Sequence, residues 1–471
     1  MDHLLKFLLP ELGLTVLLFS LLFVRIAGRL EKTGQIGFLM NFAYPLLGLL
    51  MVFNGPVEGS LFGNMLHVTS LIHYEKLILL LAVWLISLQS EPWLSGHKHP
   101  AEFHMLVISV LMGMFFLLSS GNLLIFYLAL ELSSIPLATL CNFDLDKRVS
   151  GEAAMKMILS SAFSSAILLF GISLFYGATG TLSLSELSAS LDGSPLQLTA
   201  FLLVLTGFAF KLSVVPFHFW TADVYEGSPV PVTAFLSVVS KGVMAFAFVS
   251  VLYTVFSPLE DVWYAAITFL AVLTMTFGNL FAIRQQNIKR LLAFSSIAQM
   301  GYVLIGISGT SQQGMASVIF FMLVYLFSNI AAFGVVTLVV TASSRESIDE
   351  LKGFRSTNPG LAWILALAFF SLAGIPPTAG FFGKFFLLTA GAARWNTPVL
   401  VIAALNMVVS LYYYLRVIRA MFMDAPVETP IHSISAPFAV RISLFICIVG
   451  MLTLGFYSPA YEWIRSISFG F

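Results

Sequence analysis

Apolar runs of roughly membrane-spanning length follow one another along almost the whole chain, separated by short polar links. About 20 apolar residues in a helix cover the 30 Å or so of a bilayer's hydrocarbon core. By that measure about fourteen crossings are predicted. They lie near 4–26, 36–53, 71–89, 104–120, 122–141, 153–176, 199–222, 231–256, 262–283, 291–309, 314–341, 360–391, 397–423 and 436–461. The longest polar link, SSRESIDELKGFRSTNP, joins the eleventh crossing to the twelfth. No link is long enough for a soluble domain of any size. The predicted fold class is therefore all-α, a polytopic membrane protein.

Two crossings carry breaks. The seventh reads FLLVLTGFAFKLSVVPFHFW, with Lys211 followed by Pro216. The twelfth is too long for one pass, about 45 Å if fully helical. It is interrupted by GIPPTAG and resumes as FFGKFFLL, which carries Lys384. Proline removes a helix hydrogen bond and glycine loosens the backbone. Interrupted segments at matching places in two halves of a membrane chain predict inverted repeats around a transport site.

Composition narrows the class. Hydrophobic residues make up 59% of the 471 and charged residues only 10%, well below the share in soluble domains. Net charge is zero, so nothing points to nucleic acid. Cys141 and Cys447 lie far apart in or beside apolar runs, which predicts neither a disulfide nor a metal centre. The links after odd-numbered crossings hold most of the basic residues: Arg25, Arg29, Lys32, Lys98, Lys147, Arg148, Arg284, Lys289, Arg290, Arg345, Lys352, Arg355, Arg416, Arg419 and Arg441. The opposite side has Lys6, Arg394 and Arg465. The positive-inside rule then puts both termini on the outer side.

Against this background five charges stand inside apolar runs: Glu131, Lys156, Lys211, Lys241 and Lys384. A charge at mid-membrane costs about 2.5 kcal/mol or more, and such residues mark ion or proton paths. Burial also works against the charged form, which suits groups that gain and lose protons. Glu131 lies about 14 Å along its crossing by helical rise. A static hydrogen-bonding role is its bland alternative. Lys156 is a turn or so inside its run, where a long side chain can snorkel; its expected partner is Glu131. His218 follows Lys211 by seven residues, two turns along one face if Pro216 does not rotate it away. An imidazole titrates near about 6.5, which suits proton shuttling. Lys76, beside Glu75 and His73, reads as snorkelling or locally paired, and Glu11 as structural. Asp144, Asp146, Asp223 and Glu226 fall in links and read as solvated, with Asp223 and Glu226 close enough to the seventh crossing to help protons in.

Several strings resemble one family. PFHFWTADVYEGSPVPVTAFLSVVSKGVMAF is similar to the seventh-to-eighth crossing region of subunit N of proton-pumping NADH:quinone oxidoreductase, respiratory complex I. IKRLLAFSSIAQMGYVLIG and SLAGIPPTAGFFGKFFLL resemble motifs found across the antiporter-like superfamily. The resemblance covers essentially the whole chain. It implies two inverted five-helix bundles with discontinuous seventh and twelfth crossings, hence the divisions 1–103 (three N-terminal helices), 104–256 (first repeat), 257–425 (second repeat) and 426–471 (C-terminal helix). It implies that Glu131 and Lys156 form an acid–lysine pair, that Lys211, His218 and Lys241 form a central relay, and that Lys384 is the lysine of the second broken helix. Two positions depart from the pattern. Gln299 stands where many relatives have His, so water is expected to carry the route between the halves there. WTADV lacks a proline common in the family, which is expected to alter only the local turn.

The function implied is a proton-translocating subunit that couples NADH-to-quinone electron transfer in partner subunits to proton movement. No cofactor is expected in this chain. NADH, flavin, iron–sulfur clusters and quinone belong to the partners, which include sister antiporter-like subunits within the lipid bilayer. The expected location is a bacterial inner membrane. The alternatives are a subunit of a multi-subunit sodium/proton antiporter, which gene neighbours encoding NADH-dehydrogenase subunits would exclude, and a static scaffold, which substitution of the lysines would exclude.

Overall fold

A computed structural model of the chain describes residues 2–27, 33–309, 311–394, 396–457 and 459–468. Arg29 and Lys32, part of the expected basic side, lie outside the described residues. Among the described residues, twelve helices are long and apolar enough to cross a membrane. The two predicted broken crossings appear as pairs of shorter helices, Pro195–Lys211 with Phe219–Gly227 and Pro359–Ala373 with Ala379–Ala392. In chain order the helices that build the transmembrane body are α1 (Leu9–Ile26), α2 (Thr33–Asn54), α3 (Ser70–Leu94), α4 (Pro100–Leu118), α5 (Leu123–Cys141), α6 (Arg148–Thr179), α7 (Pro195–Lys211), α8 (Phe219–Gly227) and α9 (Val230–Thr254). They continue as α10 (Glu260–Ile283), α11 (Ile288–Ile307), α12 (Ser311–Ser343), α13 (Pro359–Ala373), α14 (Ala379–Ala392), α15 (Thr397–Phe422) and α16 (Phe438–Phe456). A two-stranded antiparallel hairpin, β1 (Gly59–Leu61) and β2 (Leu66–Val68), sits between α2 and α3.

Burial sorts these helices. Nearly every residue of α9, α11 and α12 is buried, so these helices form the centre. Helix α12 packs on α3, α13, α14 and α16, and α11 on α10 and α14. A helix apolar all round belongs in such a core. Around the rim, Phe38, Phe42 and Phe53 of α2 point outward, as lipid-facing side chains do.

Each break has a local cause. Helix α7 stops at Lys211; the chain then takes a positive φ of 61° at Ser213 and passes Pro216 before α8 begins. Helix α13 stops at Gly374, whose φ of 84° favours a residue without Cβ. Gly380 lets α14 start hard against α13, since a Cβ there would collide with the Ser371 carbonyl. The break at Pro216 also changes the relation of Lys211 to His218. The helix ends before the proline and His218 is the N-cap of α8, so the two residues do not share one continuous helical face.

The region around Lys76 differs from the reading of the sequence. Its ammonium does not snorkel or pair with Glu75. It reaches across to α1 and donates to Glu11 Oε1 at 2.5 Å, with both side chains buried. Spacing along one helix shows only sequence neighbours; the partner came from another crossing. Asp144 is likewise buried rather than solvated, held by Trp93, Lys147 and His97 at 3.2, 2.7 and 3.1 Å.

Candidate functional site

Three of the buried lysines rest on hydroxyl or carbonyl oxygens alone. Lys211, the last residue of α7, donates to Ser134 Oγ of α5 at 2.6 Å and to Ser161 Oγ of α6 at 3.0 Å. Lys241 of α9 donates to Ser296 Oγ of α11 at 2.7 Å. Lys384 of α14 donates to the carbonyls of Leu372 and Ala373 at 2.8 and 3.3 Å. All three side chains are buried. Among the described residues none of the three has a carboxylate within ion-pair distance. A buried cation without a counter-charge is costly to keep charged, so losing its proton is an available response.

The local folding explains each placement. Leu372 and Ala373 are the last residues of α13, where carbonyls lack helical partners and the helix dipole is negative. Lys384 therefore caps the first half of the broken crossing from its second half. Lys241 follows a π-helical turn at Leu236–Ser240, a feature common at functional positions. Its ammonium also lies 5.5 Å from the Tyr225 ring centre, and that of Lys384 lies 4.8 Å from that of Tyr302.

Polar side chains extend the site beyond the lysines. Ser296 also accepts from the Tyr325 hydroxyl at 2.8 Å, and Ser237 lies 3.1 Å from that hydroxyl. One turn further along α11, Gln299 donates to Leu372 O at 3.0 Å and to the Tyr414 hydroxyl at 3.3 Å. A single helix, α11, thus carries the contact to Lys241 and the contact to the broken end that holds Lys384. Ser134, Ser161, Ser296 and Tyr325 were missed from sequence, because serines and tyrosines are unremarkable inside membrane helices. Their only signal is that a buried lysine needs an acceptor.

The acid–lysine pair expected between Glu131 and Lys156 is not formed. Lys156 is half exposed and lies 2.7 Å from Glu152 and 2.6 Å from Asp223 of α8. Asp223 in turn binds Arg290 of α11 at 2.7 Å, and Arg290 binds Glu226 at 2.6 Å. Asp223, read as a solvated acid, is therefore a partner of Lys156, and Glu226 is a partner of Arg290. The reason is rotational: the α6 face that carries Lys156 turns towards α8, which the spacing of one helix does not reveal. Glu131 lies one turn from Ser134, an acceptor of Lys211. Its Oε1 is buried without a hydrogen bond. His218 is also buried; its Nδ1 has no partner, and its ring stacks near Phe281 with centres 6.3 Å apart. The structure does not place it in hydrogen-bond contact with either lysine.

Broken crossings, buried lysines and a polar seam through the core define an antiporter-like membrane subunit. Comparison with known proteins narrows this class. The chain belongs to the NADH:quinone oxidoreductase/Mrp antiporter transmembrane family, whose model matches residues 120–410. It is 47% identical to NADH-quinone oxidoreductase subunit N of Azobacteroides pseudotrichonymphae, over 88% of this chain and 87% of that one. A chain in the structure of respiratory complex I from Thermus thermophilus with bound Aureothin superposes with a TM-score of 0.79 at 32% identity, covering 95% of this chain and 96% of that chain. A chain of the Mrp complex from Dietzia shares the fold, with a TM-score of 0.86 at 21% identity, covering 98% and 96%.

Proposed function

We propose that this chain is a proton-translocating membrane subunit of a bacterial NADH:quinone oxidoreductase, without redox chemistry of its own. NADH oxidation, the flavin, the iron–sulfur clusters and the quinone belong to partner subunits, among them sister antiporter-like subunits in the membrane. The chain sits in the inner membrane with both termini outside. Residues 104–256 and 257–425 act as two inverted repeats, flanked by 1–103 and 426–471.

The observation that carries this reading is the set of three buried ammonium groups on neutral acceptors. Protons move between Lys211, His218, Lys241 and Lys384 through hydroxyls and water, with the seam on α11 joining the halves. Glu131 and Lys156 act as the switch. In the conformation described, Lys156 rests on Asp223 and Glu152, while Glu131 lies one turn from Ser134, an acceptor of Lys211. A shift of Lys156 towards Glu131 would pair the two and change the charge that Lys211 faces.

Lys241→Ala and Lys241→Arg in the assembled complex test the reading. Both are expected to abolish NADH-driven proton uptake into inverted membrane vesicles, because Arg keeps the charge but does not release its proton. Normal pumping by Lys241→Arg would make Lys241 a fixed charge and reject the relay.

A further inference from the structure

Among the described residues outside the relay, Glu75 is a buried acid without a partner. Glu75 of α3 is 1% exposed, and both of its carboxyl oxygens are buried without a hydrogen bond. Its neighbour Lys76 is no partner, because that ammonium is held by Glu11 at 2.5 Å. A buried carboxyl with no partner in the protein is costly unless water or a proton satisfies it.

Glu75 borders a cavity of about 600 Å³. Exposed Ser60, Asn64 and His67, from the hairpin segment, form its mouth. Ser250 and Thr254 of α9 line another wall, and the Ser250 hydroxyl is a further buried polar group without a partner. The volume is many times the share of about 30 Å³ that a water occupies in the liquid, and the wall is polar enough to hold water. Ser250 lies nine residues beyond Lys241 on α9, about 14 Å by helical rise.

From this placement we infer that Glu75 is a proton-carrying carboxyl at the inner end of a water-filled outlet from the first half of the molecule to the hairpin face. The inference rests on the proton-translocation reading above. A proton leaving Lys241 passes along water to the Glu75 carboxylate and forms the neutral acid. The acid then gives it to water at the mouth and returns to carboxylate. His67 stands at the exit, and Lys76 beside Glu75 is paired with Glu11.

Two measurements on the whole complex test this. In the first, Glu75→Gln is expected to assemble and to lose proton pumping several-fold, with Glu75→Asp between it and wild type. Wild-type pumping by Glu75→Gln, or loss of assembly, overturns the outlet. In the second, Glu75→Cys is treated with a membrane-impermeant thiol reagent from either side and read by mass spectrometry. Native Cys141 and Cys447 are buried, so the background is low. Labelling from the hairpin side alone, abolished by adding Ser250→Trp to fill the cavity, is expected. Absence of labelling, or labelling from the opposite side, overturns it. Failure here with Lys241→Ala still inactive rejects only the outlet; normal pumping by Lys241→Ala rejects the relay itself.

Discussion

Gln299 and Lys384 donate to the same acceptor, the carbonyl oxygen of Leu372, at 3.0 and 2.8 Å. Gln299 thus touches the end of the broken helix directly. Its amide holds the carbonyl that also holds the ammonium. The Gln299 amide and the Lys384 ammonium therefore share one acceptor atom.

Gln299→Leu should weaken this end. It removes one of two donors from the Leu372 carbonyl and one of two partners from the Tyr414 hydroxyl, at a cost of about 1 kcal/mol. Pumping per NADH oxidised should fall, with a lower melting temperature of the purified complex. Gln299→His restores a donor and should retain activity. A Leu variant that pumps like wild type would remove Gln299 from the route.

In the proposed switch Glu131 acts by charge, and its Oε1 makes no hydrogen bond. Glu131→Gln keeps the shape and removes the charge, so coupled turnover should nearly vanish, and Glu131→Ala should match it. Glu131→Asp should retain partial activity. A structural Glu would give another order, with Gln mildest because it still hydrogen-bonds. Quinone-dependent NADH oxidation with membrane-potential readout, on complexes shown to assemble, separates the two orders.

Asp223 links Lys156 to Arg290. Asp223→Asn takes away the charge that holds both cations. Pairs this exposed are worth at most about 1 kcal/mol, so assembly should survive. Turnover should drop several-fold while Asp223→Glu stays near wild type. Equal rates for Asn and wild type would show that Lys156 needs no acid on α8.

Asp144, in the link between α5 and α6, gives a pH prediction. Burial pushes its carboxyl up, but hydrogen bonds from His97 and Lys147, with their charges, outweigh this and hold it below the ordinary carboxylate range. A lowered folded-state value stabilises the fold above the unfolded value of about 3.9 and is lost as pH falls through the folded value. Amide-exchange protection of residues 142–147 should therefore be flat from neutral pH down to about 5 and fall only below about 4. In Asp144→Asn the protection should be low throughout. A drop in wild-type protection already between pH 7 and 5 would show that the Asp144 carboxylate does not set the link's stability.

The crossings and both breaks were legible because each rests on a local signal: an apolar run, Pro216, or Gly374 with Pro376 and Pro377. The buried lysines were legible because a charge in an apolar run is rare. Partners were not. Whether Lys156 meets Glu131 or Asp223 depends on how α6 is rotated against α5 and α8, and one sequence carries no such angle. Glu75 was obscured by its neighbour, since Lys76 beside it suggested a pair that α1 instead completes with Glu11. The serines under Lys211 and Lys241 are visible only once the helices are packed.

The π-helical turn at Leu236–Ser240 has a consequence for the aim of Lys241. Such a turn amounts to one surplus residue in an α-helix, and each α-helical residue advances the helix by about 100°. Everything after the turn is out of phase with what precedes it. Lys241 meets Ser296 because of that offset. Loss of any one residue from the five would leave hydropathy and the lysine intact, yet swing the ammonium about a quarter of a revolution off the α11 seam. The azimuth of the central charge is thus encoded by a count of residues rather than by the identity of any of them.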